Sequence, residues 1–156
     1  WGGGGVLPRG GRSDEGGPGA FGAAAAGMEV TFHRAFDMVR DPEEALEALI
    51  RCGCRRVLTS GGRNTAPEGI DTIRRLIGLS AGRIAIMAGS GISAANVREF
   101  VRAGVDAVHF SARGTIESRM RYRNPAVSMG GVAGIPEYAS VGTDEEKVRE
   151  IMKQLA

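Results

Sequence analysis

The sequence predicts an α/β fold in which short parallel strands alternate with helices, and three observations carry that prediction. Apolar runs start at Val30, Val57, Ile84 and Ala107, so a strand begins about every 25 residues, the pace of a βα repeat. The runs are apolar almost throughout rather than alternating, as expected where helices cover a parallel sheet. Each ends in small or polar residues: His33-Arg34, Thr59-Ser60-Gly61, Gly89-Ser90-Gly91 and Ser111-Ala112-Arg113. Periodicity alone fits both a doubly wound sheet and a closed barrel. A doubly wound fold concentrates its glycine signature after the first strand. Here the small residues are spread over every strand end, which favours a (β/α)₈ barrel of the TIM type, where all strand ends face one way and build the site. The chain holds about four such units followed by a C-terminal helix.

The elements follow in order. Val30-Thr31-Phe32-His33-Arg34 forms the first strand, and Asp41-Pro42-Glu43-Glu44 opens a helix with a cap, a proline suited to the first turn and an acid at the capping-box position. Ala45, Leu46, Leu49 and Ile50 make its apolar stripe and Gly53 stops it. Arg56-Val57-Leu58-Thr59-Ser60 precedes a helix whose stripe is Ile70, Ile73, Leu76 and Ile77. Ile84-Ala85-Ile86-Met87-Ala88 precedes a helix with Ser93 as its expected cap, Val97, Phe100 and Val101 on its apolar face, and Gly104 at its end. Ala107-Val108-His109-Phe110-Ser111 is the fourth strand. Thr143 and Glu146 read as a capping box for a last helix carrying Val148, Ile151, Met152 and Leu155.

Composition bounds the function. Residues 1–27 contain 11 glycines and little apolar surface, so they are expected to be disordered, leaving 28–156 as the folded domain. The chain opens on Trp1 rather than Met, from which an incomplete N-terminus, an expression remnant or a faulty gene prediction is expected. A net charge of +2 with interleaved signs, and aromatics at only 5%, argue against nucleic acid as a partner. No apolar run approaches the roughly 20 residues that cross a bilayer, so no membrane association is expected. The closely spaced Cys52 and Cys54 fit a reduced, cytoplasmic setting. Strands at both ends of a four-stranded sheet would be open edges, so a homo-oligomer is expected.

Five motifs carry a resemblance. Val30-Thr31-Phe32-His33-Arg34-Ala35-Phe36-Asp37, Val57-Leu58-Thr59-Ser60-Gly61, Met87-Ala88-Gly89-Ser90-Gly91, Val108-His109-Phe110-Ser111-Ala112-Arg113 and Met120-Arg121-Tyr122-Arg123-Asn124 closely resemble the CutC copper-homeostasis family, in family order over roughly residues 28–130. The resemblance implies a (β/α)₈ barrel of which this chain holds the C-terminal half, and it implies copper homeostasis with copper as the candidate cofactor. The family's first four βα units have no counterpart in residues 1–27. Its copper-associated cysteines belong to that absent half, so no residue here inherits their role and the metal ligands stay unknown.

The residues themselves offer three chemistries. Soft thiolates suit Cu(I), but Cys52 and Cys54 fall at a helix-to-strand junction, away from the strand C-termini, where packing is their ordinary use. His33 and His109 lie on different strands and could share the barrel mouth. Gly89, Ser90, Gly91, Ser111 and Arg113 are candidates for binding a phosphorylated or other anionic small molecule, since barrel strands seven and eight commonly hold phosphate with backbone N–H groups. His33, Arg34, Asp37 and His109 are candidates for acid–base catalysis: an imidazole, an arginine to hold an anion and a carboxylate to orient the ring, with Thr59 and Ser60 as neighbours. Arg119-Met120-Arg121-Tyr122-Arg123-Asn124 is the densest positive segment, with Met120 and Tyr122 expected to give it a packed side. Whether the protein is an enzyme is left open by these residues.

Overall fold

A computed structural model of the chain describes Gly2–Gly4, residues 27–127 and residues 137–156. Strands β1 (Gly2–Gly4) and β2 (Val30–Phe32) are followed by a 3₁₀ turn, Arg34–Met38. Helix α1 (Pro42–Arg51), β3 (Arg56–Thr59), α2 (Ile70–Ser80), β4 (Ala85–Gly89), α3 (Val97–Ala103) and β5 (Ala107–His109) come next. The chain then departs from the repeat, with β6 (Arg113–Glu117), β7 (Ala139–Thr143) and a final helix α4 (Glu145–Leu155). Strands β1 to β5 form one sheet in chain order, parallel throughout, while β6 and β7 form a separate antiparallel ribbon.

Helix α1 forms as its sequence predicts. The Asp41 carboxylate accepts the N–H groups of Glu43 and Glu44 at 2.9 and 3.1 Å, and Pro42 occupies the first turn, where no donor is needed. At the other end the N–H of Gly53 (φ +74) reaches Ile50 O at 3.0 Å and that of Cys54 reaches Leu49 O at 3.0 Å. Those two bonds are a Schellman closure, and they turn Cys54 inward as its apolar lock. Leu46, Leu49, Ile73, Leu76, Val97 and Phe100 then cover the helix side of the sheet, against Phe32, Val57, Ile86 and Ala88. Each large side chain so buried contributes about 1.5–3 kcal/mol.

Three expectations are corrected. Ser93 does not cap α3: the N-cap is Asn96, whose side chain turns back to accept the Ser93 N–H and donate to Gly91 O. Thr143 does not cap α4, because it ends β7; Asp144 caps, accepting the N–H groups of Glu146 and Lys147 at 2.9 and 3.3 Å. The segment after the fourth strand carries the β6–β7 ribbon. Of the segment 1–27, Gly2–Gly4 pair with β2 through the backbone, and residues 1 and 5–26 lie outside the described residues. Among the described residues no helix is long and apolar enough to cross a membrane.

Candidate functional site

Because β2 to β5 are parallel, their C-terminal ends share one edge of the sheet, and the acid–base and anion-binding candidates lie at that edge or in the segments leaving it. At the end of β2, His33 is exposed and caps the 3₁₀ turn, its Nδ1 accepting the Ala35 N–H at 3.0 Å. Its ring stacks on Phe32 with centroids 5.6 Å apart. An accepting Nδ1 places the proton of the neutral ring on Nε2.

Asp37 does not orient that ring. Its Oδ1 accepts from the Thr59 hydroxyl (2.6 Å) and the N–H groups of Ser60 (3.0 Å) and Gly62 (3.1 Å). Its Oδ2 accepts from Arg34 Nε (2.7 Å) and the Ser60 hydroxyl (2.9 Å). Burial alone would push the Asp37 carboxyl up. The bonds from Thr59, Arg34, Gly62 and Ser60 outweigh it and hold the group below the ordinary carboxylate value. Arg34 also reaches the Ser60 hydroxyl and Arg63 O. The four expected acid–base residues therefore do not form one catalytic cluster. Arg34 and Asp37 clamp the loop after β3, beside an open groove of about 720 Å³ lined also by Met38, Gly62, Arg63, Asn64 and Glu68.

The five expected anion ligands divide as well. Gly89 is glycine because a Cβ there would sit 2.6 Å from Leu58 Cδ1 and 3.3 Å from His109 Cβ. Ser90 donates its hydroxyl to Asn64 O at 2.7 Å, and its own carbonyl accepts the Ala66 N–H at 2.8 Å. This loop is stitched to the one after β3. It does not open a helix N-terminus, since the turn from Ser93 to Asn96 stands between Gly91 and α3.

Ser111 and Arg113 are exposed and lie apart from that stitch. With His109 they line a groove of about 590 Å³ whose other walls are Phe110, Ala112, Val141, Gly142, Thr143 and Val148. No carboxylate is among its lining residues. Ribbon residues Val141 and Thr143, and Val148 of α4, were invisible as site residues in the sequence, because they reach it only through the antiparallel pairing of β7 with β6. The arginine-rich segment after β6 lies open: Met120 and Tyr122, expected to pack, are 60% and 76% exposed. Arg123 pairs with Glu117 at 3.0 Å and lies over the Tyr138 ring at 5.3 Å.

The cysteines stand at the opposite edge of the sheet. Cys54 is 4% exposed, and burial, with Cys52 beside it, pushes its thiol up. A protonated thiol is a poor metal ligand. Among the described residues no group of three or more His, Cys, Asp or Glu side chains could hold a metal ion. The described residues therefore offer copper no site of three or more such ligands.

Three comparisons complete the picture. The model of the CutC family matches residues 5–114. The CutC family protein of Bacteroides thetaiotaomicron is 46% identical over 126 residues, covering 80% of this chain and 51% of that protein. The human copper homeostasis protein cutC homolog is 46% identical over 125 residues, covering 80% of this chain and 46% of that one. The chain thus spans about half the length of these relatives. The crystal structure of CutC from Streptococcus agalactiae superposes with a TM-score of 0.64 at 28% identity, over 69% of this chain and 53% of that one.

Proposed function

The chain belongs to the CutC family, and on that premise we propose that it serves copper homeostasis as the half of a TIM-type barrel that binds a small oxyanion, in the groove of His109, Ser111 and Arg113. One observation carries this reading: three exposed side chains able to donate to an anion line a single groove with no carboxylate among its lining residues. Arg113 supplies a fixed positive charge with a planar donor fork, Ser111 a hydroxyl and His109 an imidazole. Val141 and Val148 add an apolar wall, so the ligand joins an anionic head to a short apolar body. Of the four acid–base candidates only His109 lines this groove, and it is the group the proposal assigns to move a proton there. Arg34 and Asp37 act on loop geometry. Copper has no part in this groove, whose lining holds no Cys, Asp or Glu.

Calorimetric titration of the full chain tests this with inorganic phosphate, and separately with Cu(I) under reducing conditions. Phosphate binds, and Arg113→Ala or Ser111→Ala weakens it about tenfold or more, the loss of one charge-assisted hydrogen bond. Phosphate binding that both variants leave intact sinks the groove. Tight stoichiometric Cu(I) binding that Cys52→Ser with Cys54→Ser abolishes would return copper to this half.

A further inference from the structure

Ser111, Ala112 and Arg113 line a second groove besides the one they share with His109. Its volume is about 470 Å³, and its other walls are residues 92–95 and, from α4, Lys147, Glu150 and Ile151. The floor is apolar: Ile92, Ala112 and Ile151 are 8%, 9% and 3% exposed. Ile151 belongs to the same buried core as Val97 and Phe100 of α3, so the two sides of the groove are fixed against each other.

The wall common to the two grooves is held by α4. Ala112 has φ +43, in the left-handed region that a residue with a Cβ seldom adopts. The Asp144 N–H donates to Ala112 O at 2.9 Å, and Lys147 Nζ donates to Arg113 O at 2.7 Å. The second bond engages the Lys147 ammonium. Among the described residues the side chains of Ser93, Ser111, Arg113 and Glu150 have neither a hydrogen bond nor an ion pair within the chain. The uncommitted charges around this groove are therefore one guanidinium and one carboxylate.

We propose that the second groove takes the rest of the ligand whose head lies on Ser111 and Arg113, and that Glu150 receives an ammonium group on it. This rests on the reading that those two residues hold an oxyanion. The ligand class is then a small zwitterion: a phosphate or carboxylate head, a short apolar chain and an amine. Charge selects it. A second anionic group would stand against Glu150, and the nearby lysine is already bonded to backbone. A neutral end would strip water from the carboxylate and return no partner, which is unfavourable. A metal ion is no substitute, since among the described residues no group of three or more His, Cys, Asp or Glu could hold one. The apolar floor and the modest volume suit a chain of a few carbons.

Calorimetric titration of the full chain with O-phosphoethanolamine and with ethyl phosphate isolates the amine, because both carry a phosphate head on a two-carbon body. β-Alanine against propionate repeats the comparison for a carboxylate head. The amine-bearing probe is expected to bind about tenfold tighter than its counterpart, the effect of one charge-assisted bond at a partly exposed site. Glu150→Gln erases that preference, Glu150→Asp keeps part of it, and Arg113→Ala weakens every probe. Glu150 is exposed and bonds nothing in the chain, so its replacement leaves the melting temperature where it was. Three results overturn the role of Glu150 while the oxyanion site stands: probes that fail to bind where inorganic phosphate binds, amines that give no preference, or a preference that survives Glu150→Gln. If inorganic phosphate and every probe fail to bind, the oxyanion site itself falls, and this proposal with it.

Discussion

Removing the Asp37 carboxylate is expected to cost the fold about 3 kcal/mol. Its side chain is 6% exposed and accepts from four donors that do not belong to Arg34: the hydroxyls of Thr59 and Ser60 and the N–H groups of Ser60 and Gly62. Thr59 and Ser60 are inaccessible to solvent, so in Asp37→Ala their donors stay unsatisfied at about 1–3 kcal/mol each. Gly62 is exposed and regains water. The Arg34 side chain is 41% exposed, so its share is screened to about 0–1 kcal/mol. Asp37→Asn keeps an acceptor oxygen and loses less. Urea unfolding followed by circular dichroism measures both, and a loss under about 0.5 kcal/mol for Asp37→Ala refutes the clamp. The pH dependence is an independent check. A depressed folded-state value means the carboxylate's stabilisation is complete above the ordinary value of about 3.9 and is lost as pH falls through the folded-state value. The stability gap between wild type and Asp37→Asn should therefore close in acid. A gap that persists there removes ionisation from the explanation.

Gly61 has φ +71, and a Cβ on it would lie 2.2 Å from Gly69 O, so Gly61→Ala should lower stability by more than about 2 kcal/mol. Gly78 sits inside α2 with open space around it, and Gly78→Ala should raise stability by about 0.5–1 kcal/mol; a melting shift of the opposite sign in either variant would refute the reading of that glycine. Asp144→Ala should cost about 1 kcal/mol and Thr143→Ala almost nothing as a cap, a ranking that chemical denaturation would reverse if Thr143 were the cap. Thiol labelling of the folded chain should modify Cys52 first and Cys54 only on unfolding, since Cys54 is buried and its thiol pushed up; equal rates would contradict its role as the inward lock of α1.

The strands and helices of the repeat were legible because burial on the helix side forces Phe32, Val57, Ile86 and their neighbours to be apolar, and the helix stripes must answer them. The β6–β7 ribbon left no such trace. Four of the five β6 residues and most of β7 face outward, and Gly114 and Gly142 interrupt the pattern. Both glycines answer to neighbours: a Cβ on Gly114 would meet Asp144 Cβ at 2.9 Å, and one on Gly142 would meet Ile116 Cδ1 at 2.5 Å. Strand β1 was illegible for a related reason, since triple glycine pairs through backbone alone. The misplaced caps show how local the decision is. Thr143 and Asp144 are both capping residues, and Thr143 is excluded only because its backbone belongs to a ladder with Arg113.

The candidate site was read from one rule, that polar residues at barrel strand ends do chemistry, and burial shows where the rule divides. Asp37, Thr59, Ser60 and Ser90 are polar strand-end residues whose bonds all run to neighbouring loops. Those bonds fix where Gly61, Gly62 and Asn64 stand, and a carboxylate with both oxygens engaged can neither orient an imidazole nor take up a proton near neutrality. His109, Ser111 and Arg113 are polar too, but they are exposed and line open space. Interaction committed to holding a loop is unavailable to a ligand, so among the described residues the groove of His109, Ser111 and Arg113 is the better placed to bind one. A single sequence cannot make that separation, because His33 and His109 look alike until one is found accepting the Ala35 N–H and the other facing the ribbon groove. The separation also ranks the variants: replacing Asp37 should damage folding before binding, and replacing Arg113 should damage binding while the fold stands.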